Sequence, residues 1–278
     1  MNKLFCLITA ILLTSLSFGQ KKEKVKGSKM VTIEKHTLEE FENLDVEDNL
    51  QIYLVKGLIP GIEIETDDNL QEYIKFDLSG KTLRLYTSKD ITTFKKLAIR
   101  VNYTEDFKLV QAKNEVTINA LEDVRLNSFT VKNIDYSKSF LNVKSDNFTL
   151  IANDKSKIEL NLKSEKASIE LSKNVQIKAL VTSTDLKMDM YQKTTASIEG
   201  DVKQMKLRLD NNANYTGKNL VVNHLQLVAE QYVQCNVNAT KSIEIQASGK
   251  AEIQLYGAGK IDMKSFSNNA ILYKKEKK

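Results

Sequence analysis

Apolar and polar residues alternate in short stretches along this chain, and from Phe129 onward the alternation recurs at a nearly constant interval. Because side chains alternate between the two faces of a β-strand, each stretch predicts a short strand with one buried face. Successive stretches begin 18 to 20 residues apart. A strand repeat of this length indicates a stack of β-rungs that bury one continuous core between them. The stretches begin at Phe129, Phe148, Ala167, Leu186, Met205, Leu225, Ile243 and Ile261.

Each repeat also contains a second alternating stretch, so the pattern predicts two strands per rung. In one rung Met205, Leu207 and Leu209 share a face, and Tyr215 and Gly217 mark the second strand. Asn, Asp, Ser, Lys and Gly fill the gaps and favour turns. The predicted rungs cover residues 111–273. An antiparallel sandwich also places strands at a spacing of about 8–12 residues, but it gives no reason for a constant repeat, and we therefore favour the stack.

The chain begins with the features of a secretory signal peptide. Met1–Lys3 is short and positively charged, Leu4–Leu16 is almost entirely apolar, and small residues precede a cleavage site near Gly19. The apolar run is shorter than the roughly 20 residues that a transmembrane helix needs. We therefore expect residues 1–19 to be removed, leaving no transmembrane segment. The exported protein is expected in the periplasm, on the outer-membrane surface or outside the cell.

The segment between the signal and the rungs has no fixed repeat. Residues 20–36 are polar and rich in lysine, which predicts a flexible leader. Residues 37–110 contain alternating stretches such as Leu50–Leu54 and Leu97–Tyr103, separated by turn residues. They predict a β-rich region that caps the first end of the stack, whose strand edges would otherwise be open. A Lys-rich tail, residues 274–278, follows the last rung.

The charge, proline and cysteine content constrains the partners, the strand pairing and the disulfide bonding of the protein. The 41 Lys and Arg and the 36 Asp and Glu residues are interspersed, with a formal net charge of +5, so no nucleic-acid partner is predicted. Pro60 is the only proline, as expected if most strands are hydrogen-bonded on both edges. Cys235 is the only cysteine after the signal, which excludes an intrachain disulfide. It falls at an inward position and is interpreted as a small buried hydrophobe.

Grouped carboxylates are the main candidates for catalysis. General acid–base chemistry needs two such groups a few ångströms apart in a groove, whereas Asp67 and Asp68 follow a strand as a solvated turn would. His36 and His224 have no second His or Cys at ligand spacing, so no metal site is predicted. We accordingly assign no catalytic, cofactor-binding or metal-binding residue. The grouped carboxylates are Asp45, Glu47 and Asp48, then Asp67 and Asp68, then Glu122 and Asp123.

Five groups of spaced residues in the first region follow one another along the chain, and the run of rungs comes after them. They are Phe41-x-x-Leu44-x-Val46, Asn49-Leu50-x-Ile52-x-Leu54-x-x-Gly57, Ile62-x-Ile64-x-Thr66-Asp67-Asp68-Asn69-Leu70, Ser79-Gly80-x-x-Leu83-x-Leu85 and Ile99-x-Val101. In this order they resemble the secreted bacterial family described as putative auto-transporter adhesin, head GIN domain, and the resemblance covers residues 38–273. It implies a right-handed parallel β-helix and a surface or envelope role, with no catalytic residues to transfer.

Together these observations predict an all-β, right-handed parallel β-helix (β-solenoid) that is exported and non-enzymatic. Its expected role at the bacterial cell envelope is adhesin-like binding or a structural one, with an envelope glycan or a surface protein as partner and no cofactor. The alternative is a polysaccharide lyase or glycoside hydrolase on the same scaffold. Five tyrosines are candidates for a sugar- or protein-binding face, although strand packing is the favoured interpretation. They are Tyr191, Tyr215, Tyr232, Tyr256 and Tyr273.

Overall fold

The computed structural model describes residues 22–120 and 122–276, so the predicted signal peptide lies outside the described residues. The described chain is nearly all β, with one 3-10 helix at Asp68–Tyr73. The strands are β1 (Lys24–Lys26), β2 (Val31–Thr37), β3 (Asn43–Val46), β4 (Gln51–Lys56), β5 (Gly61–Asp67), β6 (Ile74–Ser79), β7 (Thr82–Thr87), β8 (Asp90–Thr93), β9 (Leu97–Tyr103), β10 (Leu109–Ala112), β11 (Thr117–Asn119), β12 (Val124–Asn133), β13 (Lys138–Ala152), β14 (Lys157–Leu171), β15 (Gln176–Met190), β16 (Thr195–Leu209), β17 (Asn214–Ala229), β18 (Gln234–Ala247), β19 (Glu252–Tyr256), β20 (Lys260–Phe266) and β21 (Ile271–Lys274).

Parallel strand pairing confirms the predicted β-solenoid, which has about nine turns. From β12 to β18, each strand pairs in parallel with the next. The eight predicted repeat starts lie side by side in one register column that runs from Phe129 to Ile261. The repeat in the sequence therefore corresponds to one full turn of the coil.

Each long strand forms two arms of a rung. In β14, Ile158 and Leu162 are buried before Glu165, whereas Ala167 and Leu171 are buried after it. The inward positions thus change from even to odd numbers, and the pairing on both sides skips Glu165. The strand turns a corner at this residue. We call the residues before the corner the first arm and those after it the second arm.

A short turn leads from each rung to the next. After β13, Asp154 and Lys155 both have positive φ, of 51° and 64°, a conformation that Asn and Asp tolerate better than most residues. Backbone hydrogen bonds continue through these turns, because Tyr136 N donates to Asp154 O and Lys155 N donates to Lys173 O, both at 2.9 Å. The turns are therefore stacked in register like the strands.

Aromatic side chains fill the core near the first rungs and give way to smaller residues along the coil. Phe107, Phe129 and Phe148 form a stack with neighbouring ring centroids 5.8 and 6.4 Å apart. Ala167 occupies the next position of the same column. The size of the inward side chain in this column therefore changes from a phenylalanine to an alanine between adjacent rungs.

The interior also holds a small buried polar cluster at the turn after β12. Asn133 Nδ2 donates to Ser137 Oγ, and Ser139 Oγ donates to Asn133 Oδ1, both at 2.9 Å. All three residues are fully buried. Their mutual hydrogen bonds offset the cost of removing these groups from water.

Residues 37–110 build two rungs whose spatial order differs from the chain order. The rung made by β3 and β4 lies between the rung of β7 and β9 and the rung of β10 and β11. The chain therefore forms the second rung before the first. Next to β9 and β7 the pairing becomes antiparallel, through β5, β2 and β6. This end of the coil is thus made of antiparallel strands.

Residues 20–36 are predicted to be a flexible leader, but the described part of this segment contains β1 and most of β2. β1 pairs in parallel with β8, and β2 pairs antiparallel with β5. Five of the seven β2 residues are exposed, so hydrogen bonds contribute more than side-chain burial to holding this strand. A polar composition does not reveal that kind of order.

Candidate binding face

The outward side of the first arms forms an elongated face with a shallow groove of about 590 Å³. The groove spans β11, β13, β14, β15 and β16, and we call its outward residues the first-arm face. Because the rungs are in register, these residues stand in two columns. Successive residues of one column are about 4.8 Å apart, which is the spacing between neighbouring strands. One column is Asn119, Phe140, Glu159, Lys178 and Ser197, and the other is Asn142, Asn161, Leu180 and Glu199.

Two apolar side chains stand in positions that are otherwise polar on this face. Phe140 is 39% exposed and Leu180 is 51% exposed. Glu159 follows Phe140 in the first column, Lys178 lies two residues before Leu180 on β15, and both charged side chains are exposed. The face therefore offers apolar contact surface next to charged groups.

Asparagine amides supply directed hydrogen-bonding groups on the same face. Asn119 Nδ2 donates to Ile52 O at 3.2 Å, and Asn142 Nδ2 donates to Ala120 O at 3.5 Å. These bonds fix the orientation of the amides, since each amide is held to the backbone of a neighbouring rung. An amide carries two donors and an acceptor, so further hydrogen-bonding capacity is left for a ligand.

The face continues toward the first rungs. Tyr53 is paired with Asn119 and with Arg100, so the first column extends over β4 and β9. Tyr53, Arg100 and Val55 line a second groove of about 380 Å³. Tyr53 and Phe140 flank Asn119 in the column, which places the two aromatic residues two strand spacings, or ~9.6 Å, apart. The rigid ladder thus presents aromatic rings at a fixed interval.

Sequence reasoning did not identify Phe140 and Leu180 as site residues. The signal that reveals them is an apolar residue in the outward phase of a rung whose inward phase is already known. The alternation of β13 buries Ser139, Leu141 and Val143, which makes Phe140 an exception on the outward side. An apolar residue at such an outward position is a candidate for a binding site, because strand packing does not require it.

The first group of candidate carboxylates forms an ion-pair network. Lys113 Nζ lies 3.2 Å from both Asp45 Oδ2 and Glu47 Oε1, and Arg84 lies 3.7 Å from Glu47. Burial alone would lower the pKa of the Lys113 ammonium, but its hydrogen bonds to the two carboxylates outweigh this effect and raise the pKa. A lysine that acted as a base would need the opposite shift. The third member of the group, Asp48, pairs with Lys22.

Asp67 has a structural environment that differs from the solvated turn expected from sequence. Its side chain is fully buried and accepts hydrogen bonds from the backbone N–H groups of Lys29, Lys95 and Lys96 at 2.9 to 3.1 Å. Burial alone would raise the pKa of its carboxyl, but these hydrogen bonds outweigh it and lower the pKa. Asp67 therefore joins the β1–β2 segment to the loop before β9. Asp68 is partly exposed and accepts a hydrogen bond from Ser28 Oγ.

The remaining candidate residues lie in separate places. The hydrogen bond from Lys144, with Nζ 2.6 Å from Asp123, lowers the pKa of the Asp123 carboxyl, and Arg125 acts in the same direction. His224 Nδ1 is 2.8 Å from Ser242 Oγ on the exposed side of the second arms. His36 belongs to β2. Neither histidine borders the first-arm groove.

Cys235 and the five tyrosines also occupy different environments. Cys235 is buried, as the sequence predicts, and burial raises the pKa of its thiol to about 12. Tyr215 is buried beside it in the register. Tyr232 and Tyr273 are exposed at a turn and on the last strand, whereas Tyr191 and Tyr256 are partly buried. The tyrosines therefore do not form one common face.

In the part of the chain that the structure describes, no helix is long and apolar enough to cross a bilayer. No group of three or more His, Cys, Asp or Glu side chains within residues 22–120 and 122–276 is arranged to hold a metal ion.

Comparison with known proteins places the chain in a family. The family model described as putative auto-transporter adhesin, head GIN domain, matches residues 40–259, which include most of the described strands. The chain belongs to this family. The family resemblance expected from sequence is thereby confirmed. A search of curated proteins gave no match.

Solved structures share the fold of this head GIN family member at low sequence identity. A putative adhesin from Parabacteroides merdae has a TM-score of 0.65 and 16% identity, with 92% of this chain and 100% of that chain covered. A putative adhesin from Parabacteroides distasonis has a TM-score of 0.70 and 15% identity, covering 90% and 100%. A putative lipid binding protein from the same species has a TM-score of 0.63 and 13% identity, covering 92% and 100%. At these identities the likeness shows the fold alone.

Proposed function

We propose that this protein is an exported, non-enzymatic binding protein of the bacterial cell envelope, and that its first-arm face binds an extended glycan. The observation that carries the proposal is the combination of exposed Phe140 and Leu180 with oriented asparagine amides along one straight groove. Membership of a family described as putative adhesins supports a binding role. The sequence of residues 1–19 supports export.

An extended glycan fits the chemistry of this face. The ring of Phe140 offers a flat apolar surface for the C–H face of a sugar, and the amides of Asn142 and Asn161 offer donors and acceptors for sugar hydroxyls. Glu159 and Glu199 are further acceptors in the same groove. The ladder repeats every rung, which suits a ligand that is itself a chain of similar units. Preorganised side chains on strands also reduce the entropic cost of binding.

Lyase or hydrolase chemistry gains no support from three of the candidate carboxylates of the sequence. Asp45 and Glu47 are bound by Lys113, and the buried Asp67 is held by backbone amides. These arrangements are typical of structural ion pairs and hydrogen bonds. We therefore propose binding without turnover.

The experiment measures binding of the purified mature protein to arrays of envelope glycans, followed by calorimetry with the best ligand. Phe140→Ala and Leu180→Ala remove exposed side chains, so we expect folded proteins whose affinity falls at least tenfold. The matched control is Tyr232→Ala, which removes a 58% exposed aromatic ring from a turn outside the groove and should leave affinity unchanged.

Three results would contradict the proposal. They are the absence of binding to every envelope glycan, affinity that is insensitive to both groove substitutions, and release of shortened or unsaturated sugars during incubation. The last result would establish an enzyme. Fractionation of cells that carry the tagged protein tests the location separately, since a cytoplasmic pool of uncleaved chain would refute export.

A further inference from the structure

The two ends of the coil differ in the strand pairing of their outermost rungs. At the first end, β5 and β6 pair antiparallel with β9 and β7, and apolar residues such as Leu70 and Ile74 are buried there. At the other end, β20 pairs with β18 and β21 pairs with β19. Within residues 22–120 and 122–276, the residue pairings of β20 and β21 are those with β18 and β19, and no strand pairs with their outer edges. Their outward-facing backbone groups are thus available to another strand.

Side chains of the last rung continue the columns of the core but are exposed. Ile261 follows Ile243 in register, and Met263 follows Ile245. Ile243 and Ile245 are 0% exposed, whereas Ile261 is 37% and Met263 is 51% exposed. Phe266 continues the column of Ala247 and is also exposed. These exposed apolar side chains lie beside an unpaired strand edge. One more rung stacked on this end would cover both.

We propose that a second copy of this chain covers this end, with the last rungs of the two copies meeting across a twofold axis. The covering surface has to supply both a strand edge and an apolar row in the same spacing, and the last rung of the same protein supplies both. At the first end, β2 runs antiparallel to β5, and its exposed Ile33 is in register with Glu65 and not with a core residue. This end therefore does not offer a matching apolar row for head-to-tail stacking. A twofold contact uses the same surface on both copies and closes at a dimer.

The charges of β20 are complementary under this arrangement. Asp262 and Lys264 lie on either side of Met263 and form an ion pair at 2.7 Å within the chain. Antiparallel pairing around a twofold axis at Met263 would place Asp262 opposite Lys264 of the partner subunit, and the reverse. Opposite charges at facing positions of paired strands stabilise the pairing, whereas like charges destabilise it.

The first experiment measures the mass of the mature full-length protein by light scattering and sedimentation over a range of micromolar concentrations. We expect a dimer that dissociates on dilution. Met263→Arg places a charge in the apolar row and should weaken association at least tenfold, without loss of the β-type circular dichroism, because this side chain is half exposed in the monomer. The matched control is Leu58→Arg, which changes a 98% exposed side chain in the turn between β4 and β5 and should leave the dimer intact.

A charge-swap experiment tests the twofold register. Asp262→Lys and Lys264→Asp should each weaken self-association, because each variant places like charges opposite one another. Mixing the two variants should restore association as a heterodimer, since every facing pair is then of opposite sign. A monomeric wild type, an open-ended polymer, a Met263→Arg protein that dimerises normally, or a mixture that stays monomeric would overturn the proposal.

Discussion

The ring of Phe129 is the most informative place to test the continuous core. This side chain is 1% exposed on the second arm of β12. Its centroid lies 5.8 Å from that of Phe107 and 6.4 Å from that of Phe148. It therefore connects the first rungs to the regular part of the coil. Phe129→Ala removes the middle member of this stack.

The expected destabilisation is large relative to the stability of a typical domain. Replacing a buried Phe by Ala costs about 3–5 kcal/mol, because the transfer free energy of the ring is lost and a cavity remains. Each lost ring pair adds roughly 0.5–1.5 kcal/mol to the effect of burial alone, so we expect a value in the upper half of that range. The stacked rungs above and below Phe129 restrict collapse of the cavity, since their backbone hydrogen bonds fix the spacing.

Urea unfolding followed by circular dichroism measures the effect, with hydrogen exchange reporting which rungs are loosened. Phe140→Ala is the matched control, because it removes the same side chain from the outward side of the adjacent rung. We expect that control to lose less than about 1 kcal/mol, as exposed substitutions usually do. A loss below about 1 kcal/mol for Phe129→Ala, or equal losses for the two variants, would refute a shared core at this position.

Three further changes test local parts of the structure. Asp67→Asn should lower the urea midpoint by the equivalent of about 1–3 kcal/mol at neutral pH. Because the folded-state pKa lies below the ordinary value of 3.8, this difference should shrink as the pH falls through the folded-state pKa, and a difference that grows in acid would contradict the assignment. Gly200→Ala should destabilise far more than Gly80→Ala in the same assay, because only the former places a Cβ 2.2 Å from the carbonyl oxygen of Val181. Asn133→Ala should cost about 1–3 kcal/mol, since two buried serine hydroxyls lose their partner, and an unchanged melting temperature would show that water replaces the amide.

The regular rungs could be predicted from sequence because one local rule is repeated. Inward positions such as Phe129, Phe148 and Ala167 must be apolar or small in every turn, and the turn must return the chain by a constant number of residues. A slip of one residue would move all inward side chains of a strand to the surface. The period in the sequence and the register in the structure are therefore set by the same constraint.

The first rungs could not be predicted in the same way, because their neighbours are distant in sequence. Leu44 of β3 pairs with Leu83 on one side and with Val110 on the other. Each of these strands alternates normally, so the local pattern shows that strands form but does not show which strands pair. The prediction of a solvated turn at Asp67 is wrong for a related reason. The backbone of residues 29 and 95–96, which buries it, is supplied by segments far away along the chain.

The fold leaves the inward and outward columns of the coil under different constraints. Parabacteroides proteins with 13–16% identity share this fold, which is possible because the core requires only apolar or small residues at the inward positions. Outward columns carry no such requirement, since a side chain there contacts solvent and two neighbours of the same column. Phe140 and Leu180 are therefore free to differ among proteins with the same coil. It follows that the inward columns maintain the fold, whereas the ligand has to be sought by changing outward residues one column at a time.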